Sequence, residues 1–173
     1  MKKNEIYELN KSFNELLSDK KTTLTYEGYY SALVVWVKSK EELKEEVEKD
    51  ERLTVLLSVD PCGNITETPD ILLEMEKDRL GSIKYENIDN MLMGIRDTLW
   101  DLVTVYSNKD CPICDDGLRY VMVENETTNG KELTLECDTC GWLEHLDGRE
   151  WESGVVKMYP VDKKEIENYL AKG

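Results

Sequence analysis

Cys111-Pro112-Ile113-Cys114 and, further along the chain, Cys137-Asp138-Thr139-Cys140-Gly141 decide the fold of this protein. Each C-x-x-C pair can form a tight turn whose backbone N–H groups point at the sulfurs, and proline and glycine suit such turns. Two pairs at this separation predict a four-thiolate site for one structural zinc ion. The expected ligands are Cys111, Cys114, Cys137 and Cys140.

Two strands are expected between the cysteine pairs. Residues 118–123 and 133–136 are typical of strands, and the turn-rich sequence 125–130 separates them. With its cysteine pairs and this hairpin, the chain resembles a zinc ribbon over residues 108–152. The resemblance implies a small antiparallel sheet that metal clamps at one end, and it implies little about activity. Since four thiolates leave zinc no open coordination position, the ion is expected to be structural.

The chain is strongly acidic. Its 173 residues include 22 Lys/Arg and 37 Asp/Glu, a formal net charge of −15 at pH 7. Residues 1–106 carry 14 Lys/Arg against 22 Asp/Glu, and residues 107–173 carry 8 against 15. The expected ribbon holds few cationic residues among many carboxylates, which opposes the phosphate neutralisation that nucleic-acid binding requires. Direct binding of nucleic acid is therefore not expected.

The sequence favours a cytoplasmic location. It has neither a secretion-signal pattern nor an apolar run near the ~20 residues that span a bilayer. Of its 5 cysteines, four fall into the two pairs, which fits a reducing compartment where thiolates bind metal. The fifth, Cys62, lies in a turn-forming sequence and is expected to be an ordinary thiol.

Helices are expected before the ribbon. Apolar residues recur at intervals of three and four in residues 4–19, which predicts an amphipathic helix. The pattern resumes from Thr25 to Asp50 and predicts one long helix. The β-branched residues in 31–38 leave open a strand there, followed by a helix capped at Ser39. Residues 53–59 are too short for periodicity to separate strand from helix.

Further helices are expected on both sides of the ribbon. Thr68 and Pro69 predict a short helix that ends before Gly81. Residues 86–106 alternate spacings of four and three, which predicts a long packed helix, and residues 107–110 would link it to the ribbon. After the ribbon we expect a strand at residues 155–159 and a last helix capped by Asp162.

These elements together predict an α+β protein. Residues 1–106 would form an N-terminal antiparallel helical bundle. Residues 107–173 would form a β-rich zinc ribbon with a short terminal helix.

Catalytic residues are not expected in any known arrangement. His145 is the single histidine, so catalytic triads and histidine-rich metal sites lack their components. Because four thiolates complete a tetrahedral site, His145 is not expected to bind the metal. The acidic run at residues 41–51 is interspersed with lysines at pairing distances and is expected to be a solvated helix face.

A protein-binding role remains as the leading hypothesis. An acidic surface with aromatic anchors, such as Tyr29, Tyr30, Trp142 and Trp151, would suit a basic site on an enzyme that acts on nucleic acid. The chain would then be a small cytoplasmic inhibitor, similar in size and charge to bacterial toxin-immunity proteins and phage anti-defence inhibitors. The alternatives are a zinc-ribbon scaffold or adaptor protein and an enzyme that uses the helical domain. Neither the partner nor the oligomeric state follows from the sequence.

Overall fold

The computed structural model describes residues 3–19, 25–59, 70–82, 85–125, 130–152, 154 and 156–171. In this part of the chain there are seven α-helices and a five-stranded antiparallel sheet. Tertiary contacts divide the chain into two compact units, Met1–Leu102 and Val103–Gly173. The expected α+β class is confirmed: helices come first, an antiparallel sheet follows, and a short helix ends the chain.

Six helices precede the sheet. They are α1 Lys3–Ser18, α2 Tyr26–Ser39, α3 Lys44–Lys49, α4 Glu51–Leu56, α5 Asp70–Ser82 and α6 Ile88–Val103, with a 3-10 turn at Glu41–Leu43 between α2 and α3. Their apolar faces supply a core in which the largest fully buried side chains are Phe13, Tyr29, Tyr30, Leu33, Leu43, Leu53, Leu56, Leu80, Met91, Ile95, Leu99 and Leu102. No helix in the described ranges is both long enough and apolar enough to span a bilayer.

Residues 31–38 are helical rather than extended. Trp36 and Val37 are buried while Val35 is 67% exposed, which is one-sided burial at helical spacing. The predicted continuous helix from Thr25 to Asp50 is nevertheless wrong, because α2 ends at Ser39 and Lys40 is extended. The Ser39 hydroxyl donates to the carbonyl of Trp36 (2.7 Å) and competes with the helical hydrogen bonds of this last turn.

Residues 53–59 begin as helix and end in a turn. The Asp50 carboxylate accepts a hydrogen bond from the Leu53 amide (2.9 Å) and so caps α4. The next predicted helix is present as α5, but its predicted end before Gly81 is wrong, since α5 continues to Ser82. One exposed glycine costs a helix about 1 kcal/mol, which the burial of the neighbouring Leu80 offsets. Thr68, Pro69 and Cys62 lie outside the described residues.

The sheet is built around its second strand. The strands are β1 Tyr106–Asp110, β2 Gly117–Asn125, β3 Gly130–Glu136, β4 Leu143–His145 and β5 Val156–Tyr159. β2 pairs with β3 along one edge and with β1 and then β5 along the other, and β4 pairs with the outer edge of β3. Each of these pairings is antiparallel.

The structure confirms three predicted strands and adds two. Residues 118–123, 133–136 and most of 155–159 lie in β2, β3 and β5. Residues 107–110, predicted as a link, belong to β1, and the predicted long helix stops at Val103 instead of reaching residue 106. β4 was not predicted, because three residues are too few to show a period.

A last helix, α7 Lys163–Leu170, follows β5 as predicted. The Asp162 carboxylate accepts a hydrogen bond from the Glu165 amide (2.7 Å), and the Glu165 side chain returns to the Asp162 amide to complete a capping box. Ile166 is buried with Val161 and Leu133. The sheet and α7 therefore share one hydrophobic cluster.

Candidate metal centre

Two loops bring the four predicted ligands together. One loop connects β1 to β2 and carries Cys111 and Cys114, and the other connects β3 to β4 and carries Cys137 and Cys140. Both loops lie at the same end of the sheet, because β2 starts beside the point where β3 ends. The four Sγ atoms lie within 4.8 Å of one another, and this is the group that could hold a metal ion among the described residues.

The first loop is a tight turn closed by backbone hydrogen bonds. The Cys111 amide donates to the Asp116 carbonyl (2.6 Å), and the Asp115 amide donates to the Cys111 carbonyl (3.0 Å). Asp115 has a φ of 62°, in the left-handed region that residues other than glycine seldom adopt. Aspartate tolerates this region better than most residues do.

The second loop repeats this geometry. The Cys137 amide donates to the Trp142 carbonyl (2.8 Å), and the Gly141 amide donates to the Cys137 carbonyl (2.9 Å). Gly141 has a φ of 75° and occupies the same place in its loop as Asp115 does in the first. The two C-x-x-C pairs thus form matched turns, in keeping with their shared spacing.

Backbone amides surround the sulfurs. Burial alone would raise the pKa of the Cys111 thiol, but hydrogen bonds from the amides of Ile113 and Cys114 help to lower the pKa to about 7. For Cys114, the Asp116 amide lowers the pKa, while the Cys137 thiol and burial raise it, with a net rise to about 12. Without a cation, the Cys111 thiol therefore ionises at a much lower pH than the Cys114 thiol.

The spacing of the sulfurs fits a tetrahedral metal. Zn–S bonds of about 2.3 Å place tetrahedral sulfurs about 3.8 Å apart. The observed Sγ–Sγ distances are 3.5 Å between Cys111 and Cys140 and 3.4 Å between Cys114 and Cys137. A set of four sulfurs is typical of zinc and iron–sulfur sites.

The site is set into the hydrophobic interior on one side. Cys111 and Cys137 are buried and pack with Leu118 and Leu135, whereas Cys114 and Cys140 are exposed. Half of the ligand set therefore belongs to the core of this unit. The other half faces solvent, from which an ion can enter.

Polar side chains beside the site were not predicted from the sequence. Glu144 is 6% exposed, accepts a hydrogen bond from the Trp142 indole (3.0 Å) and pairs with Lys109 (3.4 Å). Arg119 is also buried and pairs with acidic residues of the second loop region. Charged residues usually lie at the surface, so nothing in the local sequence marks these two as interior.

His145 lies apart from the cysteine cluster. Its Nδ1 is 2.7 Å from the Glu132 carboxylate, and its ring stacks on Trp151 with 4.7 Å between centroids. The imidazole therefore has a polar and an aromatic partner within the sheet.

Two of the four expected aromatic anchors are wrong. Tyr29 and Tyr30 are 0% and 1% exposed and belong to the helical core, where the Tyr30 hydroxyl donates to the Leu56 carbonyl. Both side chains are enclosed by the helical core, so they cannot contact a partner. Trp142 and Trp151 are half-buried and keep some accessible surface.

The acidic run contains the ion pairs that its spacing predicts. Lys49 is 3.0 Å from both Glu45 and Glu46, and Lys44 is 3.7 Å from Glu41. These side chains are largely exposed, so each pair contributes little to stability.

Comparison with known proteins adds no family. No protein-family model, no curated protein and no solved structure matches the chain. The resemblance to a zinc ribbon is carried by the clustered cysteines and the hairpin between them.

Proposed function

We propose that the chain is a zinc-ribbon protein in which Cys111, Cys114, Cys137 and Cys140 hold one structural Zn²⁺. The observation that carries the proposal is the approach of four sulfurs to within 4.8 Å of one another. Four thiolates fill the tetrahedral positions of zinc and leave none for water or substrate. The ion would therefore support the fold and would not act on a substrate.

The packing of the ligands supports a structural role. Cys111 and Cys137 are two of the four buried residues in the hydrophobic cluster beside the site, the others being Leu118 and Leu135. A cluster of this size buries little apolar surface. Zinc would hold the β1–β2 and β3–β4 loops together where the hydrophobic core is small.

We further propose that the chain binds a basic protein partner in the cytoplasm and inhibits it. A net charge of −15 gives a field that steers a cationic partner. Zinc with four thiolates would add about two negative charges to this total. Enzymes that act on nucleic acid have basic substrate sites, and covering such a site is how immunity and anti-defence inhibitors would act.

Two exposed acidic clusters are candidate contact faces. On the helical unit, the Glu41 and Glu45 side chains are 88% and 82% exposed. On the ribbon, Glu150 and Glu152 are exposed and lie outside both cysteine loops. Glu144 is unsuitable for a contact face because it is buried against Trp142 and Lys109.

The test begins with a partner captured from native lysate at low salt and then purified. We expect its association rate with the chain to fall steeply as salt rises, since the Debye length shortens to about 8 Å at physiological salt. Reversing Glu41 and Glu45 to lysine, or Glu150 and Glu152 to lysine, identifies the contact face by the pair that slows association. Reversing Glu8 and Glu15 to lysine, two exposed acids on α1 outside both clusters, changes the net charge by the same amount and is the control for a general change in surface charge.

Two results would contradict the inhibitor proposal. A partner that binds equally fast at all salt concentrations and keeps its activity in the complex would favour the scaffold or adaptor alternative. Direct binding of nucleic acid by the purified chain at physiological salt would favour a nucleic-acid-binding ribbon. A measured activity of the partner, with and without the chain, separates inhibition from scaffolding.

A further inference from the structure

Arg119 is a charged residue in the interior of the ribbon. It lies on β2, directly opposite Glu136 in the register of β2 and β3. The side chains of Arg119 and Glu136 are 8% and 9% exposed, and Nε donates to Oε2 over 2.8 Å. Burial of an ion pair is weak evidence for a stabilising role, because desolvation offsets much of the attraction.

The same guanidinium reaches into the second cysteine loop. Its Nη2 lies 2.6 Å from Oδ1 of Asp138, the residue that follows Cys137. Glu136 and Asp138 are the two chain neighbours of Cys137, so one rigid group is bonded on both sides of this cysteine. A planar guanidinium fixes the direction of each bond, as a lysine ammonium would not.

The first loop achieves rigidity at the matching position by another means. Pro112 follows Cys111 as Asp138 follows Cys137, and the two loops have the same backbone hydrogen bonds. The proline ring fixes φ at this position covalently. In the second loop, Asp138 has no such ring, and its ion pair with Arg119 restrains this position instead.

We propose that Arg119 is a positioning residue of the metal site, which holds Cys137 in its binding geometry through Glu136 and Asp138. This inference depends on the proposed metal site. Replacing a residue that orients a metal ligand without binding the metal itself commonly lowers metal affinity by about 10- to 100-fold.

Asp138→Ala is the most informative variant. The Asp138 side chain is 60% exposed, and its removal leaves the buried Arg119–Glu136 pair intact. We expect zinc affinity, measured by competition with a chromophoric chelator, to fall by about tenfold. We also expect the thiolate-to-metal and ligand-field absorption of the Co²⁺-loaded protein to change, while far-UV circular dichroism stays the same.

Two further variants sharpen the test. Arg149→Ala removes an exposed arginine of the same unit that pairs with Asp147 over 2.8 Å, and its zinc affinity and Co²⁺ spectrum should match the wild type. Asp138→Pro supplies the ring of the first loop in place of the ion pair, and should keep zinc affinity within about threefold of the wild type.

The outcomes separate this inference from the proposal on which it rests. If the wild-type chain binds neither Zn²⁺ nor Co²⁺, the metal site itself is wrong. If the wild type binds both ions and Asp138→Ala behaves as Arg149→Ala does, only the positioning role of Arg119 is wrong. If Asp138→Pro loses as much zinc affinity as Asp138→Ala, the positioning role is also overturned. A proline ring would then restrain this position without restoring zinc affinity, so restraint would not be what Arg119 supplies.

Discussion

Gly141→Ala tests the backbone geometry of the second cysteine loop. An added Cβ at Gly141 would meet no atom within 4 Å, so the effect is confined to the backbone, whose φ is 75°. The left-handed region costs an L-residue roughly 1–2 kcal/mol. Alanine also restricts the unfolded chain, which returns about 0.4–1 kcal/mol. We expect a net loss of about 1 kcal/mol from the free energy of unfolding of this unit.

Thermal unfolding of the zinc-loaded protein measures this loss. For a domain of about 70 residues, 1 kcal/mol corresponds to a lower Tm by about 4–8 °C. Gly154→Ala is the matched control, since an added Cβ there also meets no atom within 4 Å and φ lies outside the left-handed range. Asp115→Gly relieves the same backbone conformation in the first loop and should not lower Tm.

Equal melting temperatures for Gly141→Ala and Gly154→Ala would refute this reasoning. Position 141 would then not have the left-handed conformation in which its amide donates a hydrogen bond to the Cys137 carbonyl.

Three other predictions concern metal, pH and the helical unit. Removing zinc with a chelator should unfold residues 103–171 and leave the helices of residues 3–102 folded, as measured by hydrogen exchange with mass spectrometry. Loss of amide protection in both units would contradict this prediction. Zinc affinity should rise with pH, because the pKa values of the metal-free Cys114 and Cys140 are raised and the pKa of Cys111 is about 7. Calorimetry in buffers of different ionisation enthalpy should detect roughly two or more protons released per zinc ion near pH 7. Zinc binding without any proton release would contradict this prediction. Asp50→Ala should lower the free energy of unfolding of the helical unit by about 1–2 kcal/mol, because it removes the α4 cap and the ion pair of Asp50 with Arg96 (3.2 Å). Asp50→Asn keeps a capping oxygen and should lose less than half of that, as measured by urea denaturation. Equal losses in the two variants would show that the charge, not the cap, matters.

The cysteine loops were predictable because their chemistry is local. A C-x-x-C pair has few structural uses, and two pairs around a hairpin restrict one another further. The amphipathic helices were predictable for a similar reason, because apolar residues recur at helical spacing within each of them. Phe13, Leu33 and Ile95 each belong to such a pattern and are buried in the structure. Local spacing therefore indicated both the sulfur cluster and the helical core.

Features that depend on tertiary partners were not predictable. Residues 106–110 have no apolar alternation and are a strand because β2 offers them hydrogen bonds. Lys40 interrupts a regular helical pattern through the conformation of a single residue. Tyr29 and Tyr30 could be surface anchors or core residues by composition alone, and the packing of other helices against α2 decides between these roles.

The buried charged residues were also not predictable, because they depend on tertiary partners. Arg119 and Glu144 occupy strand positions where either face could point inward, and their ion pairs involve residues 17 to 35 positions away. No window of sequence short enough to show a period contains both members of such a pair. The Arg119–Glu136 pair becomes visible once the β2–β3 register is known, and the Lys109–Glu144 pair requires the whole strand order β1-β2-β3-β4.

The most direct test of the central claim is the metal content of the purified chain. We expect one zinc ion per chain by inductively coupled plasma mass spectrometry. The double variant with Cys111→Ser and Cys137→Ser should contain none, since it loses one ligand from each loop. Wild-type protein without stoichiometric metal, or a double variant with unchanged zinc content, would contradict the assignment of Cys111, Cys114, Cys137 and Cys140 as a structural zinc site.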